Sequence, residues 1–186
     1  MSGLGSAIFD TAIGGCGITW SEQGVVGIQL PEGSPQATGS RMARRFPSAV
    51  AAMPSPEIQA AIDAMVTLLA GQRTELDHVR LDLTGVSPFE ASVYAIARAI
   101  RPGATLTYGA IAERIGAPGA AREVGEALGR NPFPLVVPCH RVVAAGGKLG
   151  GFSASGGATT KRRLLAIERA RSSSGPDLFD LPAGSS

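Results

Sequence analysis

The chain has 186 residues and a formal net charge of +2, from Lys+Arg 17 against Asp+Glu 15, so the overall balance neither requires nor excludes a polyanionic partner. With 44% hydrophobic and 17% charged residues it can bury the core of one ordinary domain or two small ones, which excludes a chain disordered throughout. No apolar run approaches the roughly 18 residues that a membrane helix needs, and the N-terminus lacks the basic-then-apolar layout of a signal peptide. A protein without a membrane association is expected, cytoplasmic in a bacterium and nuclear in a eukaryote. The charge is unevenly spread. Residues 1–85 carry 5 basic and 8 acidic groups, residues 86–171 carry 12 and 5, and residues 172–186 carry only Asp177 and Asp180. Cys16 and Cys139 are too far apart for a disulfide framework or the paired spacing of a structural zinc site, so a reducing compartment and no metal are expected.

Residues 8–30 read as short strands at Ala12-Ile13, 17–20 and 25–30, separated by glycine-containing turns. Trp20 has apolar neighbours and reads as core rather than as a ligand platform. Residues 31–40 read as a loop before a short basic helix at 41–46. A longer helix is expected over Pro56–Leu69, started by Ser55-Pro56-Glu57, with Ile58, Ala61, Ile62, Met65, Leu68 and Leu69 on one face. The charge sign changes near Thr84-Gly85, which predicts a boundary between an N-terminal α/β domain with a loop-rich linker (residues 1–84) and a mostly helical domain (residues 85–171). The tail of residues 172–186 is expected to be disordered.

Ser87-Pro88-Phe89-Glu90 is a capping box, and Phe89, Val93, Ile96 and Ile100 follow at helical spacing. A second short helix is expected over 107–115 and a third from Ala120 to Gly129, joined by Gly116-Ala117-Pro118-Gly119. Two helices joined in this way have the dimensions of a helix-turn-helix, and equally of a plain αα-hairpin; the basic charge of this half narrows the choice. Arg130 to Val143 contains prolines that forbid a regular helix, and apolar residues enclose Cys139. A buried cysteine is ordinarily inert, so a reactive one needs a partner that generates thiolate. His140 is adjacent, but neighbours on an extended chain point to opposite sides, so contact would need a bridging water. The stretch 146–157 is glycine-rich yet lacks the Gly-Lys-Ser/Thr ending of a phosphate-binding loop, so it reads as an active-site loop.

Pro138-Cys139-His140-Arg141-Val142 is preceded by Ala120-Ala121-Arg122 and Gly129-Arg130-Asn131-Pro132. It is followed by Gly150-Gly151-Phe152-Ser153 and by Lys161-Arg162-Arg163-Leu164-Leu165-Ala166-Ile167-Glu168. Taken together, residues 86–170 resemble the methylated-DNA-protein-cysteine methyltransferases, the alkylguanine-DNA alkyltransferases. The resemblance implies a helix-turn-helix of winged-helix type in the second domain. It also implies a cofactor-free, monomeric DNA repair protein that flips alkylated guanine out of double-stranded DNA and keeps the alkyl group on Cys139. Alkyl transfer at carbon suits a thiolate, a soft nucleophile. By the same resemblance His140 takes the Cys139 proton through a water, Glu168 orients the imidazole, Tyr108 donates to the guanine ring, and Asn131 bridges backbone groups. Arg122 replaces the flipped base, with Tyr108, Ala120, Ala121 and Gly125 also at the DNA. Pro134, the backbone of Cys139 and Val142, and the loop of Phe152 and Ser153 would wall the guanine pocket.

This chain differs from many relatives in a longer Phe152-Ser153-Ala154-Ser155-Gly156-Gly157 loop without a phenol and in Glu123 beside Arg122. Only Cys16 and His78 stand in place of the N-terminal zinc ligands of some members, and both are given structural roles. Two other readings compete. One is a non-enzymatic alkylated-DNA binding protein or methylation-responsive regulator, which the presence of Cys139 disfavours. The other is a cysteine hydrolase, which the adjacent Cys-His pair disfavours.

Overall fold

In the computed structural model, which describes residues 3–169, the chain opens with a meander of three antiparallel strands. They are β1 (Leu4–Thr11), β2 (Gly14–Ser21) and β3 (Gly24–Gln29), and a short β4 (Ala49–Ala51) pairs in parallel with β1 to give the order β3-β2-β1-β4. Ala12 and Ile13, expected as a strand, are instead the reversal between β1 and β2. Thr11 fixes that turn: its Oγ1 donates to Gly14 O at 2.7 Å and accepts the Ile13 N–H at 3.2 Å. The first strand escapes an alternation test because Gly5, Ser6 and Ala7 give it no apolar period.

Helix α1 (Pro35–Arg45) also corrects an expectation, since it begins inside the stretch read as loop. Ser34 accepts the Ala37 N–H and Pro35 occupies the first turn, so residues typical of loops are acting as a helix start. The helix lies close on the sheet. A Cβ at Gly27 would run into the Phe46 ring, so only glycine permits this approach. Helix α2 (Pro56–Leu69) has the expected bounds and buries the six expected residues of its apolar face.

The second half is mostly helical, as expected: α3 (Pro88–Arg98), α4 (Tyr108–Arg114), α5 (Ala121–Gly129) and α6 (Gly157–Arg169). Ser87 and Glu90 complete the capping box of α3. The Tyr94 hydroxyl on α3 donates to Ala127 O at 2.9 Å, and its ring meets Phe133 edge to face at 6.3 Å. Two short strands, β5 (Leu106–Thr107) and β6 (Val142–Val143), pair in parallel and bring the start of α4 beside the segment that carries Cys139.

A backbone bond joins the halves: Ile28 N–H on the edge strand β3 donates to Pro132 O at 2.8 Å, while within the first half Val25 exchanges bonds with Arg80 and Asp82. One buried cluster runs from Cys16, Ile18 and Trp20 at its margin, through Met65, to Val93, Ile111 and Leu164. Each large aliphatic side chain so buried contributes about 1.5–3 kcal/mol. The expectation for residues 172–186 lies outside the described residues. Among the described residues no helix is long and apolar enough to cross a membrane.

Candidate active site

The loop before Cys139 is held from within. Asn131 Nδ2 donates to Val137 O and its Oδ1 accepts the Phe133 N–H, both at 2.9 Å, while Val137 N–H closes the turn onto Phe133 O at 2.8 Å. Between these ties Leu135 adopts φ 74, a left-handed conformation that costs a non-glycine residue about 1–2 kcal/mol and is offset here by full burial of its side chain. Cys139–Arg141 then forms a single 3-10 turn rather than the extended segment expected, with Arg141 N–H bonded to Pro138 O at 2.8 Å. With about three residues per turn, adjacent side chains leave such a turn in different directions. Cys139 lines a cavity, and His140 turns toward α6.

His140, 1% exposed, meets Glu168 at Nε2···Oε1 2.7 Å. The same carboxylate accepts from Arg141 Nε at 3.1 and 3.0 Å and from Nη2 at 2.7 Å, and Arg141 Nη1 donates to Ile100 O at 2.6 Å. Burial alone would raise the Glu168 carboxyl, but the His140 imidazole and the Arg141 guanidinium outweigh it and hold its pKa at about 2. A carboxylate can only accept, so His140 Nε2 carries a hydrogen, and in the neutral ring Nδ1 keeps the free lone pair. Nδ1 is buried and has no hydrogen-bond partner among the described residues. An unpartnered acceptor of this kind, poised beside a thiol-bearing residue, suits a proton acceptor.

Burial raises the Cys139 thiol, while the Asn131 side chain, the Lys161 charge and the backbone N–H groups of Cys139 and His140 oppose it. Lys161 was not singled out by sequence, yet it is wholly buried. Its Nζ donates to Val142 O at 2.6 Å, to Gly151 O at 3.0 Å and, at the long distance of 3.5 Å, to Tyr108 Oη. Burial pulls its pKa down to about 8, with the Cys139 charge pulling the other way. Burial and then the Cys139 charge raise the Tyr108 phenol, which keeps it protonated and able to donate. A Cβ at Gly150 would stand 2.8 Å from Tyr108 Oη, and Gly150 has φ +76, so this position admits the phenol only as glycine.

Tyr108, Ala121, Arg122, Gly125, Cys139, Phe152 and Ser153 line one open cavity of about 610 Å³. Pro134 faces a second, smaller one that Cys139, Phe152 and Ser153 also border. Two expected contact residues are not among those lining either cavity. Val142, expected to contribute its backbone, is buried in β6, where its carbonyl accepts from Lys161 Nζ. Ala120 sits at the N-cap of α5 and packs against the core. Arg122 is 89% exposed and pairs with Glu126 at 3.2 Å, one helical turn on, while the neighbouring Glu123 is exposed. Cys16 is buried in β2 and His78 is exposed. Arg141 and Lys161 were missed because a cation is expected in solvent, and no local sequence signal sets these two apart.

Residues 88–170 match the family model described as 6-O-methylguanine DNA methyltransferase, DNA binding domain. A methylated-DNA-protein-cysteine methyltransferase of Mycolicibacterium paratuberculosis is 49% identical over 120 residues, 64% of this chain and 70% of the relative. One of Methanothermobacter thermautotrophicus is 35% identical over 152 residues, 82% of this chain and 78% of the relative. The crystal structure of the Mycobacterium tuberculosis O6-methylguanine methyltransferase superposes with TM-score 0.73 at 35% identity, covering 94% of this chain and 97% of the other. That of the same organism's OGT in complex with DNA gives TM-score 0.71 at 36% identity, covering 90% and 94%. Sequence likeness over both halves and a shared fold lead to one conclusion: the chain belongs to the methylated-DNA-protein-cysteine methyltransferase family.

Proposed function

We propose that the protein repairs DNA by transferring an alkyl group from the 6-oxygen of guanine to Cys139, once per molecule. The observation that carries this reading is the His140-Glu168 pair, which leaves Nδ1, on the residue that follows Cys139, buried without a hydrogen-bond partner among the described residues. The Cys139 proton passes to Nδ1 through a bridging water, and Glu168, itself fixed by Arg141, stabilises the imidazolium that forms. The thiolate attacks the alkyl carbon. The Sγ–C bond forms, the C–O6 bond breaks, and the electron pair departs on guanine, where the Tyr108 phenol donates to the ring and lowers the cost of that charge. The thioether formed is stable to water, since its saturated carbon offers no route back to thiolate, so the protein ends alkylated.

The target oxygen is unreachable inside a duplex, so the nucleotide is flipped into the cavity of about 610 Å³. Arg122, projecting from α5, takes the vacated place in the stack, and Ala121 and Gly125 keep the helix slim enough for the minor groove. In this reading α4 and α5 are the helix-turn-helix, with β5 and β6 as its small winged-helix sheet, and residues 85–171 are the DNA-binding and alkyl-acceptor domain behind residues 1–84. The protein acts as a monomer on double-stranded DNA in the cytoplasm. A duplex carrying O6-methylguanine, supplied in excess, tests the reading: repaired guanine should plateau at one per protein molecule, whereas continued turnover would overturn it.

A further inference from the structure

Helix α5 is the element that meets DNA in the alkyl-transfer reading, yet its own charge is of the wrong sign for that task. It carries one basic residue, Arg122, against two acidic ones, Glu123 and Glu126, so a polyanion approaches a helix whose side chains are net negative. Glu126 is the more informative of the two. It stands one turn beyond Arg122, half-exposed, in the wall of the cavity that Tyr108 and Cys139 also line. Its Oε1 accepts from Arg122 Nε at 3.2 Å, while Glu123 is exposed outside this pair. The guanidinium that base flipping needs in the stack therefore rests on its own helix, beside the cavity that the base must enter.

Building on that reading, we propose that Glu126 is a positioning residue: it parks Arg122 off the duplex, and its release is part of the cost of flipping a base. Insertion and pairing exclude each other, because a guanidinium extended between base pairs leaves the carboxylate one turn along its own helix, and Glu126 then faces the phosphates without its partner. The pair is built for release. Both side chains are solvated, and a cation four residues before a carboxylate is the weaker order on a helix, since each charge opposes the helix dipole. The cost falls on the inserted state alone. A protein that uses its thiol once and meets mostly undamaged duplex thereby keeps Arg122 out of intact pairs, whereas alkylated guanine, which has lost its N1 hydrogen and pairs weakly, still opens.

An equilibrium cycle tests this on protein carrying Cys139→Ala, which removes the chemistry and leaves binding to a duplex with one O6-methylguanine to be read by gel shift. Glu126→Gln should tighten binding about threefold while Arg122 is present, the size of one exposed ion pair no longer broken, and should have no effect in Arg122→Ala. Glu123→Gln, which removes the same charge from the same helix, should act equally in both backgrounds. Unchanged or weaker binding in Glu126→Gln overturns the proposal, because the pair then survives insertion or assists it. Equal tightening with and without Arg122 overturns it too, because Glu126 then acts on the phosphates alone. Single-turnover methyl transfer by the native protein separates the two levels: its absence overturns the function and this inference with it, while intact transfer beside a failed cycle removes only the role of Glu126.

Discussion

Cys16 and Cys139 are both buried free thiols, and their surroundings differ. Cys16 lies in the sheet, where burial lifts its pKa to about 11 and only the Thr11 hydroxyl, at 3.8 Å, opposes it. Cys139 suffers the same desolvation but is met by the Asn131 amide, the Lys161 ammonium and two backbone N–H groups, with His140 and Glu168 alongside and an open cavity in front. The difference shows that burial does not decide reactivity: the thiol that can be used has groups placed to receive its proton and hold its charge.

Substitutions sharpen or break this contrast. Cys139→Ala should abolish methyl transfer while leaving binding to the alkylated duplex measurable by gel shift, and Cys16→Ala should transfer at the native rate. Glu168→Gln should slow single-turnover transfer by about 10²-fold or more, since it removes the charge that sets the imidazole tautomer. Glu168 also predicts a pH effect on stability. Its folded pKa of about 2 lies below the ordinary 4.5, so its contribution is present above the unfolded value and is lost as pH falls from about 5 through 2. With the Glu168 side chain 3% exposed, that contribution is on the order of 3 kcal/mol, and thermal melts of native protein and Glu168→Gln should converge in acid. Lys161→Met should raise the pH at which Cys139 reacts with a thiol reagent and leave Cys16 unmoved. Asn131→Ala should cost about 1–3 kcal/mol in denaturant unfolding by freeing the ties around Leu135. Smallest in stability and within about 0.5 kcal/mol of native, Arg122→Ala should nevertheless lose repair of duplex DNA far more than reaction with free O6-alkylguanine base; equal losses would remove Arg122 from base flipping.

The helices of residues 56–69 and 88–98 are legible in the sequence because caps, prolines and apolar spacing agree there on one answer, and those of 108–114 and 121–129 are legible from apolar spacing. The start of the chain is harder. Gly17 of β2 admits Met42 of α1 and Gly5 of β1 admits the Trp20 ring of the neighbouring strand, so these glycines mark packing and not turns, and Ser34-Pro35 opens a helix in a stretch whose composition reads as loop. At the site, Cys139, His140 and Glu168 are readable as a motif, but the 3-10 turn that separates the first two depends on Asn131 and a left-handed Leu135, which no periodicity announces. Lys161 and Arg141 are legible only once three dimensions bring carbonyls and a carboxylate to them, because the groups that accept from them are distant in sequence.

The account turns on one thiol being used and the other not. Incubating the protein with a stoichiometric duplex that carries an isotopically labelled methyl on guanine, then mapping the label by peptide mass spectrometry, reads this directly. The account predicts one methyl per molecule, on Cys139, with Cys16 unmodified; label on Cys16, or repaired guanine with no label on Cys139, would contradict it.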